Sequence, residues 1–485
     1  MDNNAIPSSS ALPRRDFLKK TATVAAVVAA TPLLRTPVYG QNQAPSANVA
    51  GANNRIQVAV VGVGLGIGQN HLKGIQEKAT ENNTVITAAS DVYTKHRDYA
   101  MSTANLKDAD VYDDYRKMLE RKDIDAVLIA THDPWHAQIT MDSIDSGRHV
   151  YCEKPLTRYL GDAFQVYDKV KSSGKVFQVG SQGCSAGGYQ KCAELIKAGK
   201  IGTLVWGQAW YSRNSLNGEW NYSITSDMNK ENIDWERWLG PVKQHDPFSD
   251  EQYRRWRKYY RYCAGPLGDL APHRLHPLML ATGNPEFPVR VVSIGTHNVH
   301  IDKNVAGTPE REIPEHAQLL AEFPSGYVMM VTCCTVNGST PGLSLYGHKA
   351  NLEIDASASK VNLVPQREFG DEIDPENFVN LQPEEIRVHE KNWFDCIRSG
   401  QQPNANIDLA IKVQTVISLA EMSDRLKIAC LFDEKTRKVT TDGGTAVKSR
   451  WLCFEVIDTT ATLADSPALG RMRLSSPHSF GRSKA

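Results

Sequence analysis

The 485-residue chain has no charge excess of either sign: 55 Lys and Arg balance 55 Asp and Glu. Nucleic acids and anionic membrane surfaces are usually held by a basic surplus, so the balance argues against both as partners. No CxxC pair occurs among the nine cysteines (Cys152, Cys184, Cys192, Cys263, Cys333, Cys334, Cys396, Cys430 and Cys453), which removes the spacing of zinc ribbons and thioredoxin-like sites. Several sit inside apolar runs, and they read as mostly buried free thiols. There is no internal repeat. The apolar stretch 22–34 is too short to cross a bilayer of about 30 Å, so no stable membrane anchor is expected. What remains is an ordinary globular composition, 41% hydrophobic and 23% charged, long enough for two domains.

The first forty residues have the layout of an export signal. Arg14-Arg15-Asp16-Phe17-Leu18-Lys19 is a twin-arginine pattern, the apolar stretch follows, and Val38-Tyr39-Gly40 offers small residues for cleavage. The layout resembles the bacterial Tat signal, which makes the Tat export machinery an expected partner and the periplasm, or another exported location, the expected destination. A basic helical extension is the plainer alternative. No cysteine marks the cleavage point, so a lipoprotein is not expected. Residues 41–54 are rich in Asn, Ala, Gln and Ser and read as a flexible linker.

From Ile56 the pattern changes. Apolar runs at 56–61, 85–90, 125–131, 149–152 and 176–179 alternate with helical stretches at 71–80, 113–121, 137–146 and 161–172. That rhythm predicts an α/β fold with a doubly wound parallel sheet, a dinucleotide-binding Rossmann domain over 55–179. After about Gly180, strand-like runs at 205–212, 289–301, 317–324, 327–337 and 342–346 follow with few helices between them. They predict an α+β domain over 180–445 with a large open, mainly antiparallel sheet. Helices are expected near 383–399 and 408–426, and 446–485 reads as a poorly ordered tail.

Four motifs carry chemistry. Gly62, Gly64, Gly66 and Gly68 follow the first strand and precede a helix. Glycines there let the backbone approach a pyrophosphate while the helix aims its amides at the charge. The spacing departs from GxGxxG, because position 67 is Ile67 and Gly68 follows with one extra residue. Asp91 ends the second strand, where a carboxylate can accept from a ribose diol and repels a 2′-phosphate. NAD is therefore favoured, with Lys95 and Arg97 just downstream keeping NADP possible. The second motif, Ala130-Thr131-His132-Asp133-Pro134-Trp135-His136, follows a strand that should end beside the cofactor, and Thr131 and His136 are cofactor-facing candidates. His132 and His136 have the spacing of a metal pair, but no third ligand is evident and no metal is expected. The third is Glu153-Lys154-Pro155 at the end of the next strand. Glu153 and Lys154 border the cofactor, and the lysine can bind a hydroxyl and ease its deprotonation.

The fourth motif runs from Gly268 to His276. Asp269 and His273 are four apart and share a face if both lie on one helix. Asp269 then either orients His273 as a proton acceptor or merely caps the helix. Pro277 should kink or end that helix. Trp210, Tyr211, Arg213, Trp220, Arg257 and Tyr259 come from segments able to line the pocket or to pack elsewhere.

These motifs in this order resemble the glucose–fructose oxidoreductase/inositol dehydrogenase (Gfo/Idh/MocA) family, over about 55–443. The exported members are the most similar, through the segment Asp234-Trp235-Glu236-Arg237-Trp238-Leu239-Gly240-Pro241. The resemblance implies a Rossmann domain followed by an α+β domain whose sheet mediates homo-oligomers. It implies a Lys154–Pro155 bond that is often cis. It places Lys154, Asp269 and His273 around the reacting carbon as the catalytic set. The family often has an acid three residues after the histidine; here that position is His276.

The expected activity is hydride transfer between a sugar or polyol carbinol and a tightly held nicotinamide. His273 would take the proton, Asp269 would hold its imidazole and Lys154 would stabilise the alkoxide. Two rivals stand beside it: an NAD-dependent glycoside hydrolase working by transient oxidation and elimination, and a non-catalytic sugar-binding protein.

Overall fold

The computed structural model describes residues 55–447, Pro341 excepted. The expected export signal and linker, Cys453 and nearly all of the expected tail lie outside the described residues.

Strands β1 (Ile56–Val61), β2 (Thr84–Ser90), β3 (Val111–Tyr112), β4 (Ala126–Ile129), β5 (His149–Glu153) and β6 (Phe177–Gly180) form one sheet in the order β3-β2-β1-β4-β5-β6. Every neighbouring pair is parallel. Val58, Val60, Val127 and Leu128 are all fully buried, because helices cover both faces and the strands need no polar alternation. Helices α1 (Ile67–Glu77), α2 (Thr94–Ala104), α3 (Tyr115–Leu119), α4 (Trp135–Asp145) and α5 (Leu160–Ser173) make the crossovers. Helix α1 starts four residues earlier than the periodicity suggested, directly at the glycine turn. Helix α3 is shorter than expected; Asp114 caps it by accepting from the Arg116 amide at 2.9 Å. The two-residue β3 is too short to leave a period in the sequence.

The strand order reverses between β1 and β4. Crevices outside the carboxyl ends of such strands are where open α/β sheets bind ligands.

The second layer begins with α6 (Gly187–Lys197) and β7 (Leu204–Ser212). A segment of short helices follows, among them α7 (Trp235–Leu239), then α8 (Pro266–Asp269) and α9 (Pro272–Ala281). Strands β8 (Arg290–Thr296), β9 (His316–Glu322), β10 (Val328–Cys334), β11 (Leu343–Gly347), β12 (Ala350–Ile354), β13 (Val361–Pro365) and β14 (Glu376–Phe378) precede α10 (Ile386–Ser399) and α11 (Ile407–Leu426). Strands β15 (Cys430–Asp433) and β16 (Lys438–Thr441) end the described chain. The ten-stranded sheet runs β14-β13-β12-β11-β7-β10-β9-β8-β15-β16. Only β7 and β10 pair in parallel, so the sheet is mixed and mostly antiparallel.

One face of this sheet packs on α11. The helix is capped by Asn406, whose side chain accepts from the Asp408 and Leu409 amides, and Ser423 and Asp424 accept from the backbone of β8 at 2.9 and 2.7 Å. The other face keeps Val292, Ile294 and Leu320 exposed.

Two links tie the layers together near the crevice. Arg158 makes a buried two-pronged pair with Glu421 of α11, both bonds 2.7 Å. Trp393 and Phe394 of α10 join the apolar cluster of Val58, Leu128 and Tyr151 under the first sheet. All eight cysteines among the described residues are buried free thiols, as their apolar settings implied.

Candidate active site

A cavity of about 510 Å³ opens at the carboxyl ends of β1 and β4. Gly62, Gly64, Gly66 and Gly68 all line it. Gly62 has φ +86°, and a Cβ there would lie 2.7–2.8 Å from the backbone of Ala130 and Thr131. A Cβ at Gly68 would collide with the Gly62 carbonyl oxygen. The two positions bring the turn, β4 and the start of α1 into contact that a side chain would block. Helix α1 has no side-chain cap and no acid in its first turn. Its free amides therefore face the cavity without a competing anion, a setting that suits a diphosphate.

Asp91 lines the cavity at the end of β2. Its carboxylate accepts from the Val63 amide at 2.7 Å and the Tyr93 amide at 2.9 Å, and lies 3.2 Å from His96 Nδ1. Burial pushes its pKa up, but His96 and the two amides outweigh that and hold it below the usual carboxylate range. Asp91 thus fastens the glycine turn to β2, with lone pairs left over for a diol. The two cations that kept NADP open point elsewhere: Lys95 pairs with Asp227 at 2.7 Å, and Arg97 donates to the Asp91 carbonyl at 2.8 Å.

Thr131 lines the cavity at the end of β4. His136 does not. Its buried ring sits behind the wall, between the carbonyl oxygens of Pro155 (2.8 Å) and Thr131 (3.2 Å). It belongs to the first turn of α4, whose rotation turns it towards the β5 loop. The expectation that His136 faces the cofactor is therefore corrected: it joins the two loops that do.

Lys154 follows β5, and its bond to Pro155 is cis, as the resemblance implied. Its Nζ donates to Asp269 twice, to Oδ1 and to the main-chain carbonyl, each at 2.8 Å. Arg257 Nε donates to the same Oδ1 at 2.9 Å. Burial raises the carboxyl of Asp269, but the two cations overwhelm it and hold the group far below the ordinary range.

The expected Asp269–His273 pair is not formed. Asp269 ends α8 and His273 is the second residue of α9, and the Asp269 carboxylate is bonded by Lys154 and Arg257 instead. His273 instead stacks on Tyr211, with ring centroids 4.9 Å apart. Burial, reinforced by the Lys154 charge, holds it well below its ordinary pKa and keeps it neutral. Pro277 does not end α9, which continues to Ala281. His276 is buried, 3.0 Å from the Pro272 carbonyl, and does not line the cavity.

Glu153 borders the cavity, yet its carboxylate is held by His71 Nε2 at 2.8 Å. Of the six side chains proposed for the pocket wall, Arg213 and Arg257 line it. Trp210, Tyr211, Trp220 and Tyr259 do not.

The cavity also has a cover that motif spacing does not announce. Residues 222–256 bring Tyr222, Trp238, Trp256 and Arg254 into the wall. The cover is fastened to both lips. On one, Lys95 and Tyr93 hold Asp227, and the Thr94 amide donates to Asn232 O at 3.0 Å. On the other, Trp135 Nε1 donates to the carbonyls of Arg237 and Trp238 at 3.0 Å, and Arg237 bonds Asp113 at 2.8 Å. His132 stacks flat on Trp238 at 4.1 Å. The segment 234–241 and the density of Trp and Tyr between 206 and 262 mark the cover in the sequence, but the aromatics fit a core equally well.

The family models agree with this architecture. Residues 56–181 match the model described as an oxidoreductase family with NAD-binding Rossmann fold, and 195–314 match its C-terminal alpha/beta domain. Inositol 2-dehydrogenase 3 of Saccharopolyspora erythraea is 29% identical over 186 residues, 38% of this chain and 53% of that protein. Inositol 2-dehydrogenase of Klebsiella pneumoniae is 30% identical over 189 residues, 38% of this chain and 54% of that protein. The chain spans about half the length of the curated relatives it matches. Levoglucosan dehydrogenase in complex with NADH superposes with a TM-score of 0.59 at 17% identity, over 77% of this chain and 98% of that one. Aldose-aldose oxidoreductase from Caulobacter crescentus superposes with a TM-score of 0.58 at 17% identity, over 78% and 100%. At such identities the two structures speak for the fold alone. With an NAD-binding Rossmann domain and the matching second domain in one chain, this protein belongs to the Gfo/Idh/MocA oxidoreductase family.

Proposed function

We propose that this protein transfers hydride between a carbinol carbon of a sugar or polyol and a tightly held nicotinamide dinucleotide, with NAD preferred over NADP. The observation that carries the reading is Lys154. It stands in one cavity with the glycine turn, and its ammonium is aimed by Asp269. The inositol dehydrogenases among the relatives support a polyol as the substrate class.

When bound, the dinucleotide supplies the hydride acceptor or donor. The chain supplies the rest. Lys154 binds the reacting hydroxyl and stabilises negative charge on its oxygen. His273, kept neutral by burial, is the proton acceptor. Asp269 acts on the lysine: it sets the ammonium's direction through two bonds and is itself fixed by Arg257.

NAD preference is supported by Asp91 in the wall and by Lys95 and Arg97 turning away from it. Retention is supported by the cover fastened to both lips of the crevice. The twin-arginine segment supports export in folded form, cofactor loaded, to a compartment without a recycled dinucleotide pool; changing Arg14 and Arg15 to Lys together should leave the protein in the cytoplasm on fractionation. A homo-oligomer is supported by the exposed apolar face around Ile294 and Leu320, and light scattering of the purified protein tests it.

The decisive experiment is mass spectrometry of cofactor released from purified protein, then a polyol and sugar panel followed at the nicotinamide absorbance. Turnover that collapses in Lys154→Met is the expected result. Near-wild-type turnover in that variant removes the lysine from the chemistry. Release of free sugar from aryl glycosides without net cofactor change replaces this reading with the eliminating glycosidase.

A further inference from the structure

One buried histidine lies between two carboxylates. His71 of α1 places Nε2 2.8 Å from Glu153 Oε1 and Nδ1 2.6 Å from Glu390 Oε1. His71 and Glu390 are fully buried, and Glu153 is 3% exposed. Between two ionised carboxylates, which only accept, both ring nitrogens donate and the ring is an imidazolium. Burial alone would lower its pKa, yet the two carboxylates raise it to about 9. Beyond it, Arg387 bonds both oxygens of Glu390 at 2.5 and 2.6 Å. Four charges therefore alternate in sign from the half-buried Arg387 to the cavity wall, and the last of them is the Glu153 carboxylate.

The chain of charges ends in the half of the crevice that would hold the nicotinamide. Glu153 adjoins Lys154 at the end of β5, on the opposite side of β1 from Asp91. In a Rossmann fold the two mononucleotide halves of the ligand divide across that switch point. An oxidised nicotinamide carries a positive charge that reduction removes. A fixed anion in the wall beside it favours the oxidised form.

We propose that His71 is a positioning residue that holds the Glu153 carboxylate in the cavity wall through its Nε2 bond, and that Glu153 thereby biases the site towards the oxidised nicotinamide. Network and lysine then divide the work: Lys154 acts on the substrate oxygen, while Glu153 sets the balance between the two cofactor forms. The inference rests on the reading of this cavity as the dinucleotide site.

The test is binding rather than turnover. Dissociation constants for NAD⁺ and NADH are measured on cofactor-stripped protein by fluorescence and calorimetry. Removing one charge at close range should raise the ratio Kd(NAD⁺)/Kd(NADH) about tenfold in Glu153→Gln. Glu153→Asp, which keeps the charge, should stay near wild type. Should Glu153→Gln fail to fold, the double variant His71→Asn/Glu153→Gln removes the imidazolium and its carboxylate together and leaves Glu390 paired with Arg387; a rise in the same direction, smaller because the opposite charge leaves with the anion, is expected. A purely structural role weakens both forms equally, and an unchanged ratio overturns the proposal. Wild-type protein that binds neither form overturns the dinucleotide reading, and this inference with it.

Discussion

Lys154 and Asp269, 115 positions apart, are joined by two bonds of 2.8 Å from one ammonium, one to the carboxylate and one to the main-chain carbonyl. The second bond does not depend on the carboxylate, so the lysine keeps part of its orientation when the acid is changed. Lys154→Met should lower kcat by about 10²–10³-fold, the usual worth of one donor to a developing oxyanion, with little change in dinucleotide affinity. Asp269→Asn should lower kcat less. It should also cost about 3–5 kcal/mol of stability, because Arg257 and Lys154 lose their shared anion. Steady-state kinetics and denaturant titration separate the two effects.

His273 bears on the pH profile. Its pKa is lowered by burial and by the Lys154 charge, so the neutral ring is already present throughout the range above its ordinary value of 6.5. The acid limb of kcat/KM should therefore lie below pH 6.5. His273→Ala should lower kcat and flatten that limb. A wild-type limb centred above pH 7 would assign the base elsewhere.

Gly62→Ala tests the turn. The position has φ +86°, and an added Cβ meets the Ala130 and Thr131 backbone at 2.7–2.8 Å. The strain alone costs about 1–3 kcal/mol, and the displaced turn should weaken dinucleotide binding at least tenfold. Calorimetry reads the affinity and thermal melting reads the strain.

Arg237 holds the cover to the lip through Asp113 and to its own segment through Asp234 at 2.6 Å. Arg237→Ala should speed release of bound cofactor by about tenfold while the chemical step is unchanged. Stopped-flow displacement of NADH measures the release; a wild-type off-rate would show that the cover is not a barrier to exit.

The His71 clamp makes stability depend on alkaline pH. A histidine whose pKa is raised on folding contributes fully below its unfolded value of 6.5, and the contribution is lost as pH rises through about 9. His71→Gln should cost about 3–5 kcal/mol near pH 6, since it leaves the buried Glu153 carboxylate without its cation and Glu390 with Arg387 alone. The difference from wild type should shrink between pH 7 and 10. Paired denaturant titrations across that range give the curve.

Much of the frame was legible because it is local. Strand β1 is legible to its limits, since a six-residue run with five apolar residues, ending in a glycine turn, signals a buried strand without help from the rest of the chain. Helix α11 was read almost to the residue for a similar reason: Asn406 and the following Asp408 mark its start. Strands β12 to β14 were missed, because their few-residue runs carry no more period than a loop does. The Asp269–His273 pair is not formed because a spacing of four says nothing of distant competitors, and Lys154 and Arg257 take the carboxylate first.

By itself the sequence determined which groups are present and in what local geometry: the glycine turn opening α1, the acid closing β2, and the lysine after β5. These follow from backbone sterics and short-range period, which neighbours in the chain decide. Which of those groups meet was decided only by the tertiary structure. His71 finds Glu153 across 82 positions and Glu390 across 319, and Asp269 turns to Lys154 and Arg257 instead of His273. Partners so distant are selected by how sheets and helices pack, and a buried charge takes whichever opposite charge that packing delivers within hydrogen-bond reach.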